Sequence, residues 1–409
     1  MAHQFSTLPP DTPGNPSPFT LHIPDADLAT FKELLRLSPI GPPTYWNGPP
    51  ASNKTNYGIT RSWLQTAKET WLDESKFSWR KQEEYINSFP NFKIPVSDAD
   101  SGDVSIHFAA LFSKREDAVP VMFLHGYPGS FMEFLPLMEL LVKKYTPETL
   151  PYHVIVPSLP DYCLSGPASE GVEMTLDRAA GILNGVMANL GFGDGYVVQG
   201  GDLGSMLGRI MSLDYGGCKS LHLNMLVLNP DQTPPPIAPT PEEQEHLSRS
   251  ASWQKTGFAY ALEHATRPGT VGLAMSSSPL ALLAWIGEKH LEWPSPSIPL
   301  PLSSILATTT LWWHTATFPR SLYHAQLVTK MMAGKAHPIT HTKPLGYSCF
   351  PYDMVMLPEG WMKELYPNGV FYKRHEKGGH FAALEDPVGL LEDVEEFVRR
   401  VEEVFLGSK

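Results

Sequence analysis

Cysteine, positive charge and long apolar runs are all in short supply. Only Cys163, Cys218 and Cys349 occur in 409 residues, and no two stand at CxxC spacing. An odd, scattered set rules out a disulfide framework and a thiolate zinc site, and a reducing compartment is the expected setting. Charged residues make up 18% of the chain, below the roughly 25% of ordinary soluble domains. Basic residues are the scarcer sign, 31 against 43 acidic, for a formal net charge of −12. Nucleic acid and anionic membranes select basic patches, so neither is an expected partner. No stretch of 18 uncharged apolar residues occurs, and residues 1–20 carry no signal-like apolar segment. The expectation is a cytoplasmic protein without a membrane anchor, in which the Asn53-Lys54-Thr55 sequon stays unglycosylated.

Proline, by contrast, is abundant: 40 residues, near twice the usual share of about 5%. Disorder does not explain it, because 10 Trp, 19 Phe and 15 Tyr have to be buried. Eleven prolines lie in residues 1–50, six between Pro230 and Pro241, and four between Pro294 and Pro301. Such clusters punctuate a fold, marking an N-terminal arm, the entry to an insertion and a loop inside it.

Between these marks the apolar period changes. Leu28, Phe31, Leu34 and Leu35 recur at helical spacing over 25–37, and 61–71 and 81–89 are further helix candidates. Short β-like runs follow at 106–111 and 119–124, then strand and helix alternate, with strands expected at 153–156, 196–199 and 221–228. Alternation of this kind implies a parallel sheet with helices on both faces. Residues 242–335 read as helices alone, and after Pro344 come a loop, a strand at 370–372 and a last amphipathic helix over 388–405. The boundaries expected are 1–111, 112–235, 236–335 and 336–409, an α/β core interrupted by a helical cap and preceded by an arm region.

Gly200-Gly201-Asp202-Leu203-Gly204 sits between a strand and a helix. Small residues flanking one reactive side chain are the pattern of a nucleophile elbow, here with Asp in the middle. A carboxylate suits attack on saturated carbon, since it needs no deprotonation and forms an ester that water can hydrolyse. An Asp capping a helix would give the same five residues. Two further positions favour chemistry over capping. His380 precedes the final helix and Asp353 lies on a loop upstream, giving the order nucleophile, acid, histidine of the α/β hydrolases. His375 is the nearest alternative base. The turn at His125-Gly126-Tyr127-Pro128 follows a strand, and the backbone amides of Tyr127 and Leu203 are candidates for an oxyanion hole.

These motifs resemble the microsomal-type epoxide hydrolases of the α/β hydrolase superfamily, and a soluble, fungal-like member is the nearer match. The resemblance rests on 125–130, 200–205, Ser277-Ser278-Pro279 to Trp285-Ile286, Phe350-Pro351-Tyr352-Asp353 and 378–383, with Asn56-Tyr57-Gly58 and Trp79-Arg80 to Phe89-Pro90 in the N-terminal part. It implies that Asp202 attacks an epoxide carbon while cap tyrosines donate to the oxygen, and that His380, oriented by Asp353, then activates water. Tyr260 matches the first cap tyrosine. The second family position falls on Ala325; Tyr323, two residues earlier, is the candidate second proton donor, able to replace it where the helix or loop is locally shifted, because two helical residues turn a side chain by about 200°. Tyr127 stands where the family usually has Trp, and Asp161 and Cys163 flank Tyr162 where it tends to have glycine.

The function expected is hydrolysis of an apolar epoxide to a vicinal diol, with the epoxide and water as partners and no metal or organic cofactor. Three alternatives stand beside it. A cyclase of the same fold would open the epoxide with a substrate hydroxyl. A haloalkane dehalogenase commonly has Trp where Leu203 stands, and a binding protein would not need the triad. A homodimer is possible through the N-terminal arm.

Overall fold

The computed structural model describes residues 2–402 except 11, 49–56, 169, 230, 231, 335–338, 340 and 341. The Asn53 sequon and residues 403–405 of the expected last helix lie outside these. The strands are β1 (Ser17–Pro18), β2 (Asn91–Asp98), β3 (Gly102–Leu111), β4 (Val119–Leu124), β5 (Tyr152–Pro157), β6 (Tyr196–Gly200), β7 (Cys218–Leu223), β8 (Leu345–Cys349) and β9 (Gly369–Arg374). All nine form one sheet, in the order β1-β2-β3-β5-β4-β6-β7-β8-β9. From β5 to β9 neighbouring strands are parallel, whereas β1, β2 and β3 join by antiparallel pairing. The region up to residue 111 therefore extends the same sheet. Every residue of β4, β5 and β6 is buried, as strands covered by helices on both faces should be.

The sequence reading passed over the two-residue β1 altogether, and three longer strands depart from it. β2 escaped notice because it holds Pro95, which cannot donate to a ladder. The Pro95 carbonyl accepts from Asn189 Nδ2 at 2.9 Å, so the backbone there faces away from β3, on a side that β1 covers only at Phe92 and Lys93. A missing amide is harmless at such an edge. β8 was expected to be loop, since Gly346 and Ser348 dilute its β signal. It is held between β7 and β9, and a Cβ on Gly346 would meet Phe397 at 2.7 Å. β7 ends at Leu223 rather than 228, because Asn224 donates its amide to the Gly200 carbonyl and accepts from Gln199 Nε2 at 2.8 Å.

Residues 241–332 contain helices only: Pro241–Thr256, Ala259–Thr266, Pro268–Met275, Pro279–Glu292 and Leu302–Thr315, then a 3₁₀ turn at Ser321–Ala325 and a helix at Gln326–Met332. Pro241, Pro268 and Pro279 each open a helix, where a missing amide costs nothing and φ is already suitable. These helices cover the carboxyl ends of the parallel strands. They are braced from the other side by the N-terminal helices Asp25–Leu37 and Arg61–Leu72. Trp71 Nε1 donates to Thr310 Oγ1 at 2.9 Å, the Ser38 and Ser278 hydroxyls lie 2.8 Å apart, and Phe31 packs on His314. No single helix among the described residues is long and apolar enough to cross a membrane.

Candidate active site

Asp202 stands at the end of β6 with φ of +47°, the first residue of the helix Asp202–Asp214. This left-handed conformation is strained for a side chain other than glycine, and the neighbouring glycines make it attainable. A Cβ on Gly204 would come within 2.2 Å of the Leu124 carbonyl oxygen, and one on Gly126 within 2.3 Å of Asp202 Cβ. The turn after β4 thus lies directly on the nucleophile candidate. Its Tyr127 amide donates to Asp202 Oδ1 at 2.7 Å. Leu203, in the first turn of the helix, has an amide of the kind that lacks an intrahelical partner.

His380 projects from the loop after β9. Its Nδ1 lies 3.0 Å from Asp353 Oδ1, and its Nε2 lies 3.6 Å from Asp202 Oδ2. Asp353, on the loop after β8, is itself fixed: Oδ1 also accepts the Met354 amide at 2.7 Å, and its backbone carbonyl accepts from His246 Nε2 at 2.6 Å. The ring of Trp293 meets His380 edge-on at 4.9 Å, and the Trp293 carbonyl accepts the His380 amide. The histidine side chain is 3% exposed, whereas that of Asp202 is 21% exposed. His375 is elsewhere, bonded to Asp393 Oδ2 at 2.6 Å and stacked on Phe350.

Burial alone would lower the His380 pKa, but the charge and hydrogen bond of Asp353, then the charge of Asp202, outweigh it and raise it to about 9. At neutral pH the resting imidazole is protonated. Since this value exceeds the ordinary 6.5, the pairing stabilises the fold fully below about 6.5 and loses that effect as pH rises through about 9. Neutralising Asp202 removes one of the raising charges. An NMR titration of the imidazole should therefore show a lower pKa in Asp202→Asn than in the wild type; an unchanged value would mean that the two groups do not communicate.

Tyr260, in the helix Ala259–Thr266, stacks on Tyr127 with centroids 5.8 Å apart and planes 14° apart. Burial, then the Asp202 charge, pushes its phenol well above the ordinary value, so it stays protonated. Lys289 Nζ lies 4.9 Å from the centre of its ring. Tyr323 is differently occupied, since its hydroxyl donates to the Pro160 carbonyl at 3.0 Å in the buried base of the cap.

Sequence reasoning missed a polar cluster beside Tyr127. Trp285 Nε1 donates to the Tyr127 hydroxyl at 2.9 Å and to His264 Nε2 at 3.2 Å. An indole can only donate, so His264 carries its proton on Nδ1 and passes it toward His324 Nε2, 3.0 Å away. His324 then carries its own on Nδ1, facing the Ser321 carbonyl and the Tyr162 hydroxyl. Burial pushes His264 down to about 2 and His324 to about 4, so both imidazoles are neutral. His324 stacks on Tyr127 at 4.3 Å, beside Ala325. The Tyr at 127 and the Ala at 325 were the visible signals that this corner differs.

The description "Epoxide hydrolase N terminus" fits residues 16–134, and "alpha/beta hydrolase fold" fits 119–285. A Dothistroma septosporum protein, provisionally named an epoxide hydrolase, is 45% identical over 405 residues, covering 99% of this chain and 94% of its own. Epoxide hydrolase 1 of Sus scrofa is 30% identical over 415 residues, covering 94% and 89%. The solved epoxide hydrolase of Aspergillus niger superposes with a TM-score of 0.87 at 42% identity, over 97% of this chain and 99% of that one. Carrying both the N-terminal region and the capped core along nearly its whole length, the chain belongs to the epoxide hydrolase family of the α/β hydrolase fold, hydrolases acting on ether bonds.

Proposed function

We propose that the protein converts an apolar epoxide and water to a vicinal diol through an ester on Asp202. The carrying observation is one carboxylate flanked by an amide at 2.7 Å and an imidazole at 3.6 Å, with that imidazole held by a second carboxylate. In the first step an Asp202 oxygen attacks a ring carbon, the C–O bond breaks, and the ring oxygen takes the Tyr260 proton. The Lys289 ammonium over that ring lowers the cost of the resulting phenolate. Tyr323 helps by fixing the cap over the Asp161 loop instead of by donating, since its proton is committed to Pro160.

Alkylation removes the Asp202 charge, and with it part of what keeps His380 protonated. His380 first gives its proton, through solvent, to the Tyr260 phenolate; the neutral imidazole is then a competent base and takes a proton from water, which attacks the ester carbonyl. The Tyr127 and Leu203 amides receive the oxyanion. Collapse expels the diol, whose oxygen takes the proton back from His380. The remaining water proton, on the regenerated Asp202 acid, passes to His380, so the cycle closes with Asp202 ionised, His380 protonated and Tyr260 a phenol.

A single turnover in heavy-oxygen water tests this. The label is expected in the Asp202 peptide while the first diol stays unlabelled. Label in the first diol would mean direct attack by water, and an unlabelled cyclic ether would mean opening by a hydroxyl of the substrate.

A further inference from the structure

Behind Asp202 is a cavity of about 20 Å³, lined among others by Asp202, His380, Asn224 and Glu133. A polar hollow needs roughly 10–15 Å³ to hold one water, so this one takes a single molecule. Three of those four residues are accounted for: Asp202 and His380 by the proposed reaction, and Asn224 by its bond to Gln199. Glu133 is not. It lies in the short turn Phe131–Phe134 as the far half of a capping box, and its Oε1 accepts the Ser130 amide at 3.2 Å. That bond leaves Oε2 unassigned. A Cβ on Gly129 would fall 1.4 Å from Glu133 Oε1, so this carboxyl reaches the site only because residue 129 has no side chain.

Building on the ester mechanism proposed above, we infer that Glu133 holds the water that cleaves the Asp202 ester, seating it in this cavity against Nε2 of His380. A water there has an acceptor in His380 for the proton it loses and a donor in Glu133 that fixes its lone pair. The titratable groups facing Glu133 are His380, Asp202, Tyr127, His125 and Cys163. Burial pushes its carboxyl up to about 8; the His380 charge opposes this, the Asp202 charge adds to it, and the Ser130 amide opposes it. Glu133 is therefore a neutral acid at pH 7, with its proton on Oε2. The Cys163 thiol and the His125 imidazole are both neutral, the first pushed up by burial and the second pushed down to about 4. Neither competes for that proton.

The two half-reactions separate this role from simple capping. Rapid-quench single turnovers would use styrene oxide, or whichever aryl, terminal or internal epoxide of a small panel the wild type opens, with the Asp202 adduct followed by mass spectrometry. Glu133→Leu is expected to alkylate within about threefold of the wild type yet clear the adduct about 100-fold more slowly, the usual cost of a misplaced reactant. Glu133→Gln keeps both the capping bond and a donor, so it should clear the adduct within about threefold. It should also lack the alkaline limb that ionisation of Glu133 gives the wild type. Glu133→Leu that clears its adduct at the wild-type rate, or Glu133→Gln that is as slow as the leucine variant or retains the limb, overturns the inference. Absence of any adduct in every variant, wild type included, would instead remove the ester mechanism itself.

Discussion

His380→Gln should accumulate a protein species heavier by one substrate molecule, with the added mass on the peptide that carries Asp202. Glutamine has no nitrogen basic enough to take the water proton, and loss of a positioned base costs about 10²–10⁴ in rate. The alkylation step needs no base, because the nucleophile is already a carboxylate. A burst of epoxide consumption equal to the enzyme concentration should therefore survive, followed by almost no turnover. The imidazole also carries positive charge beside Asp202 in the resting state. Its removal slows the burst modestly without abolishing it. Intact-mass spectra of the variant after mixing with excess epoxide provide the check, and a variant that turns over slowly with no adduct at any time would show that His380 acts before, and not after, a covalent step.

Asp202→Gly should separate stability from activity. Without the carboxylate there is no nucleophile, and removal of a covalent nucleophile typically costs on the order of 10⁶ in kcat. Stability has opposing contributions, and the lost attraction between Asp202 and the protonated His380 is one of the costs. Deleting the side chain loses the hydrogen bond from the Tyr127 amide, about 1 kcal/mol. Glycine at a φ of +47° relieves roughly 1–2 kcal/mol of left-handed strain. The unfolding free energy should thus stay within about 1 kcal/mol of the wild type, while turnover falls to background. A glycine variant that still opens epoxides at a tenth of the wild-type rate would leave Asp202 as no more than a helix-capping residue.

Much of this architecture was readable because its signals are local. β4 is an unbroken apolar run, β6 is apolar but for Gln199 before its final Gly200, and the glycines around Asp202 stand together in one five-residue turn. The order Asp202, Asp353, His380 identified residues that the fold brings within 3.6 Å and 3.0 Å of one another. What escaped depends on distant parts. β8 is a strand because β7 and β9 flank it, and β2 tolerates Pro95 because its outer side is open there. The imidazoles of His264 and His324, 60 residues apart, meet through a ring contact and a hydrogen bond that no spacing announces. Glu133 is four residues from Gly129 but looks like an ordinary helix-start glutamate until the cavity is seen.

The brace formed by Trp71 on Thr310 and Ser38 on Ser278 carries a practical consequence for redesign. A cap transplanted from another member of the superfamily would arrive without its matching N-terminal helices and would leave Trp71 and Phe31 facing a flank not shaped for them. Grafts made at the boundaries of the insertion alone should be prone to aggregation. Substrate range is better exchanged by moving the N-terminal helices and the cap together, as one inherited unit.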